Sequence, residues 1–212
     1  MKSEIIFSIL LCITLTGSTT ARAVTSDSTV LKISKDTTEK KPRIFNNEEK
    51  EQEIKFDKSN LAPQKVRIIF NDLFSQYLKI KDALSYSDES GAKRNTLTLL
   101  EHMKSKTEAI EIINKDERWI LFLHNYESIR SKVEAANFIA EQRFLFGEIS
   151  RGIQEFIKYY GLNDKTIYLM NCKNDEKNVN ASWLTDSRDK KNPFLGSIND
   201  TVCSKVKEVW VF

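Results

Sequence analysis

Between residues 63 and 160, apolar side chains return every three or four positions in four successive stretches. That spacing is the mark of helices that each bury one face. The first stretch spans about 63–86, with Val66, Ile69, Phe70, Leu73, Phe74, Tyr77, Ile80 and Leu84 on one stripe. Pro63 is suited to open it, because its missing N–H would lack a partner there anyway. The second spans about 91–113, behind Ser87, Asp88 and Ser90 as capping candidates. The third spans about 117–133, with Asp116 as its predicted N-cap and Trp119, Leu123, Tyr126, Ile129 and Val133 on its face. The fourth spans about 138–160, behind Asn137, and Gly161 is placed to end it in a left-handed cap. Short connections make neighbouring helices antiparallel. The predicted fold is therefore mainly α, an up-down four-helix bundle.

The chain beyond Gly161 changes character. Ile167-Tyr168-Leu169-Met170 is a short strand-like apolar run. Val206–Phe212 suits a second strand, with a helix equally open there. The residues between them, including 171–180, read as polar loop or hairpin. A small two-strand and loop segment thus completes the bundle. Only 6 Gly and 3 Pro in 212 residues argue against a sandwich or barrel with many tight turns.

The start of the chain reads as a signal peptide over residues 1–23. Lys2 gives a charged start. Ile5–Leu15 is an apolar run of about eleven residues, too short to cross a hydrocarbon core of ~30 Å. Ala21-Arg22-Ala23 offers small residues at the two positions a signal peptidase reads. Residues 24–61 are rich in Ser, Thr and charge, without an apolar period, and are expected to form a flexible polar linker. The helical domain then occupies 62–212. No other apolar run is long enough to span a bilayer, so the mature chain is expected to have no membrane span and to be periplasmic or secreted.

Export changes the cysteine arithmetic. Cys12 leaves with the signal peptide, and Cys172 and Cys203 remain outside the cytoplasm. An even pair in an oxidising compartment defaults to a disulfide. Closing a loop of 31 residues would stabilise the fold by roughly 3–4 kcal/mol.

Little else in the chain points to chemistry. The net charge of +3, with acids and bases interleaved, argues against a nucleic-acid partner. His102 and His124 both fall in predicted helices with no plausible nucleophile nearby in sequence. There is no phosphate-binding glycine loop and no zinc-type spacing. The expectation is a protein that is not an enzyme.

One constellation is more specific. It runs Tyr168-Leu-Met170-Asn-Cys172, then Ala181-Ser-Trp183-Leu184, then Asn192-Pro193-Phe194-Leu-Gly196, then Cys203, together with Gln142-Arg143, Phe146 and Ser150 in the fourth helix. It resembles the domain of unknown function 3347 family. That family occurs mainly in exported proteins of Bacteroidetes-type bacteria and fused to periplasmic adaptors of copper and silver efflux pumps of the RND type. The resemblance implies a periplasmic, non-enzymatic binding domain linked to heavy-metal homeostasis or efflux. Copper(I) would be its cofactor, Cys172, Cys203 and Met170 its soft ligands, and an efflux component its partner. The metal-linked members carry Cys-Pro-Met at the first cysteine, where this chain has Cys172-Lys173-Asn174. The alternative is an interaction or scaffold domain with Cys172 and Cys203 bonded to each other and no metal, docking another envelope protein.

Overall fold

A computed structural model describes residues 51–107, 111–174, 179–196 and 203–212. The predicted signal peptide and most of the predicted linker lie outside the described residues. Within them the chain is mainly helical. α1 is Gln64–Ser85, α2 Glu89–Thr107, α3 the short Glu111–Asn114, α4 Glu117–Ala135 and α5 Ile139–Tyr160. α1, α4 and α5 match the periodic stretches to within a few residues, whereas the second stretch, expected to run to about 113, is divided between α2 and α3.

The helix ends follow from local chemistry. Asp116 accepts a hydrogen bond from the Arg118 backbone N–H at 2.9 Å, satisfying one of the free donors at the start of α4. The N-cap of α5 is Phe138, not Asn137 as its type suggests. The Glu141 carboxylate instead accepts the N–H groups of Asn137 and Phe138, at 2.8 and 3.1 Å. Gly161 ends α5 at φ +80°, a backbone region costly to any residue with a Cβ.

α1 packs against α2 and α5, and α2 against α4. The main core joins Phe70, Phe74, Tyr77, Trp119, Phe146, Phe156 and Tyr160 with apolar residues of the sheet. A smaller cluster of Leu100, Tyr126 and Val133 lies between α2 and α4.

The C-terminal part is larger than two strands and a loop. β2 (Thr166–Asn174), β3 (Val179–Thr185) and β4 (Lys205–Val211) combine with β1 (Gln52–Lys55) in one sheet of order β1-β4-β2-β3. β1 runs parallel to β4, whereas β2 is antiparallel to both its neighbours. Two sequence expectations are corrected here. β1 falls inside the predicted linker. Its four residues are too charged to form a core, but pairing with β4 satisfies a backbone that could not satisfy itself. β3 was expected to be loop because only Trp183 and Leu184 break its polar run; the register opposite β2 decides it.

Directly paired residues share a face of a sheet, and successive residues alternate. Ile167, Leu169, Leu184 and Trp210 therefore lie on one face, and Met170, Cys172, Trp183 and Ala181 on the other. All but Ala181 are buried. α5 brings Lys158 over the Trp210 ring, 5.0 Å from its centroid, on the first face. Phe194, in the connection from β3 to β4, packs against Trp183 on the second. Burial on both faces explains why β2 reads as an unbroken apolar run. A bulge in β4 accompanies this: Leu169 pairs with Glu208 but Met170 with Val206, leaving Lys207 as the extra residue.

Candidate functional site

The residues singled out in the sequence come together where α5, β3 and the connection into β4 meet. Cys172 and Cys203 form a disulfide, with their Cα atoms 4.8 Å apart. Cys172 is fully buried and Cys203 is 9% exposed. Asn192, also buried, ties the bond to the turn before it. Its Oδ1 accepts the Phe194 N–H at 2.8 Å, closing an Asx-type turn around Pro193. Its Nδ2 donates to the Ser204 hydroxyl at 3.4 Å and approaches Cys203 Sγ at 3.5 Å.

Arg143 holds the same turn from the helix side. Its Nε donates to the Pro193 carbonyl at 3.0 Å, and its Nη2 to the Leu84 carbonyl and the Ser87 hydroxyl, at 3.2 and 3.1 Å. One planar guanidinium thus joins the end of α1 to the turn, a task its fixed fork of donors suits. Gly196 is required here. A Cβ would come within 2.7 Å of Ser87 Oγ and 2.8 Å of Arg143 Nη2, and the residue sits at φ +78°.

Phe194 fills the space the turn encloses. Its ring centroid is 5.5 Å from that of Phe146 and 5.9 Å from that of Trp183. Phe146 in turn stacks on Tyr77 at 5.2 Å. Gln142 and Trp183 are both buried, and the Gln142 Oε1 and Trp183 Nε1 atoms have no hydrogen-bond partner among the described residues.

Ser150 and Tyr77 explain how β3 can end the sheet. An edge strand leaves backbone donors and acceptors unpaired along its outer side. The Leu184 N–H donates to the Tyr77 hydroxyl at 3.1 Å, and the Ser182 carbonyl accepts from Ser150 Oγ at 3.2 Å and Gln154 Nε2 at 3.4 Å. Tyr77 and Ser150 lie 2.7 Å apart. Since the Ser150 proton goes to Ser182, Tyr77 donates to Ser150. Two hydroxyls thus bridge a backbone N–H and a backbone C=O of the same strand. Burial pushes the Tyr77 hydroxyl well above its ordinary range, against the smaller opposing effects of Ser150 and Leu184, so it remains a neutral donor. Replacing Tyr77 by Phe strands the Leu184 N–H in the interior. We expect a loss of about 1–3 kcal/mol in denaturant unfolding, with little change in secondary structure.

Sequence periodicity placed Tyr77 on the core stripe and was blind to its hydroxyl. Ser87, Gln154 and Ser204 were missed too, because no spacing rule links them to β3 or the turn. Of the predicted metal ligands, Met170 and Cys172 share one face of β2 and Cys203 is bonded to Cys172. In this state neither sulfur offers a thiolate, so the three do not fit a soft metal ion. His102 lies on α2 with its Nδ1 buried and without a hydrogen-bond partner among the described residues, and His124 is exposed on α4. No cluster of three His, Cys, Asp or Glu side chains arises among the described residues. No described helix is long and apolar enough to cross a membrane.

The structure defines a mainly helical domain whose bundle is locked to a four-stranded sheet by a clamp of motif side chains and a disulfide. Residues 73–165 match the family model described as protein of unknown function (DUF3347), which supports the family that the sequence motifs resemble. The match runs from within α1 to the residue before β2, so the helical half of the clamp falls inside it and the cysteine segment beyond it. No curated protein and no solved structure matches the chain.

Proposed function

We propose that the chain is a non-enzymatic interaction or scaffold domain of the cell envelope, exported into an oxidising compartment where Cys172 and Cys203 pair. The observation that carries this is what the motif residues do. Arg143, Phe146, Ser150, Trp183, Asn192, Phe194 and Gly196 spend their contacts on one another, on α1 and on the strands. They build a rigid junction rather than an open pocket, which suits a domain that presents a surface. On this proposal the four long helices form an up-down bundle, and the partner is another envelope protein docked through an outer helix face. Thiol titration of the protein recovered after export, native and denatured, tests it. No free thiol at 172 or 203 is expected; two free thiols would remove the staple.

A second proposal, copper homeostasis or efflux, draws on the grouping of Met170, Cys172 and Cys203 at one place on the sheet. It requires the sulfurs reduced, since thiolate and thioether are the ligands that favour Cu(I). Copper(I) titration after mild reduction separates the two. Stoichiometric binding that disappears in Cys172→Ser and Cys203→Ser would favour the metal; binding unchanged in both variants would end it.

A further inference from the structure

Residues 51–62 form an arm that is attached to the domain differently from the rest of the chain. None of them is fully buried, whereas every other strand and every long helix contributes buried residues. β1 pairs with β4 alone, over four residues. Glu51 is held by Arg188 through contacts of 2.6 and 2.9 Å, an ion pair at the surface that adds little to stability. What the arm lies on is more apolar than the arm itself. Phe56 stacks on Phe212 with ring centroids 4.4 Å apart and meets Trp210 edge-on at 6.0 Å. Ile54 stands opposite Trp210 in the ladder. The arm also satisfies the edge of β4 that faces away from β2: the Phe56 N–H donates to the Val211 carbonyl at 2.9 Å. With the arm lifted, that edge is a row of open backbone groups beside two aromatic rings, the kind of site to which an extended peptide adds as a strand.

We infer that this edge of β4 is an acceptor site for an extended segment of a partner protein, occupied in cis by the chain's own residues 51–56; the inference rests on the interaction reading above. The resident arm states the chemistry that fits. Backbone pairing along β4 attracts a strand whatever its side chains, and alternate positions supply the choice. An aliphatic residue belongs opposite Trp210, where Ile54 stands, and an aromatic one two positions later on Phe212, where Phe56 lies. An acidic residue three positions before the aliphatic one meets Arg188, whose guanidinium lies over the Tyr168 ring at 5.0 Å. The partner strand runs parallel to β4, as β1 does. Residues 57–63 join the arm to α1, and a linker that short holds it at an effective concentration of ~1 mM or above. The arm therefore excludes weak strands and sets the affinity that a partner segment must exceed.

A fluorescent peptide with the sequence of Glu51–Asp57, titrated with the full chain, tests this. The parent, with its arm in place, should bind the peptide weakly. A full-chain variant carrying Ile54→Ser and Phe56→Ser lacks both anchors of the arm and should bind at least tenfold more tightly. The same peptide with Phe56→Asp should lose that binding. A variant that is folded by circular dichroism yet binds the peptide no better than the parent overturns the inference, as does equal binding of the Phe56→Asp peptide. Hydrogen exchange on the unaltered chain decides the matter if the variant does not fold. The Phe56 amide should exchange at least a hundredfold faster than the amides of β2, because the arm leaves β4 while the rest stays folded. Equal protection would overturn the inference, since the arm would then part from β4 only when the whole sheet unfolds. The thiol count at 172 and 203 does not depend on the arm, so failure of this site and failure of the scaffold proposal are told apart.

Discussion

Replacing both Cys172 and Cys203 by Ala is expected to lower the stability of the folded domain by about 3–4 kcal/mol and its melting temperature by about 10 °C. The bond closes a loop of 31 residues, and an open chain of that length gains conformational freedom mainly in the unfolded state. Cys172 is fully buried, so truncation also leaves a small void there. Arg143 and Asn192 still hold the 192–196 turn after the bond is lost. The variant should therefore fold to the same secondary structure and unfold earlier. Calorimetry of the parent and the double variant measures the difference. Equal melting temperatures would mean that the bond does not staple the fold.

Trp183→Ala is expected to cost about 3–5 kcal/mol, comparable with loss of the disulfide. Its side chain is fully buried and packs against Phe194. Removing it takes away the support under the turn that Arg143 and Asn192 hold, and that gap cannot close without moving them. Trp183→Phe is the informative companion. The indole Nε1 makes no hydrogen bond among the described residues, so its loss removes no partner's satisfaction there. An aromatic ring remains for Phe194, and the expected cost is roughly 1–2 kcal/mol. Denaturant unfolding of the two variants separates packing from polarity. A Phe variant as damaged as the Ala variant would show that the indole nitrogen matters after all.

The helices were legible because each buries one stripe and exposes the other, and the period of that stripe survives any choice of neighbours. Asp116 and Gly161 could be assigned for the same reason, since a cap depends on residues within a turn of it. The sheet was harder. β2 is buried on both faces and shows no alternation. β3 is polar along the edge that Tyr77, Ser150 and Gln154 satisfy. β1 owes its existence to β4, more than 150 positions away in sequence. None of these partnerships leaves a local trace. The candidate site divides the same way. The cysteines and the Asn-Pro-Phe turn stood out by type and spacing, whereas the links through Ser87 and Tyr77 required the folded chain. Sequence resemblance alone pointed Cys172, Cys203 and Met170 toward a metal; the fold groups them but closes the two thiols on each other.

On the proposed reading, the domain works with its sheet and bundle held together by the oxidised Cys172–Cys203 pair. Mass spectrometry of a non-reduced digest, made from protein trapped with alkylating agent in the envelope fraction of the producing cell, tests it most directly. The expected product is one cross-linked species joining the Cys172 and Cys203 peptides, separating into two only after reduction. Recovery of both peptides alkylated from that fraction, or of the chain from the cytoplasm alone, would contradict it.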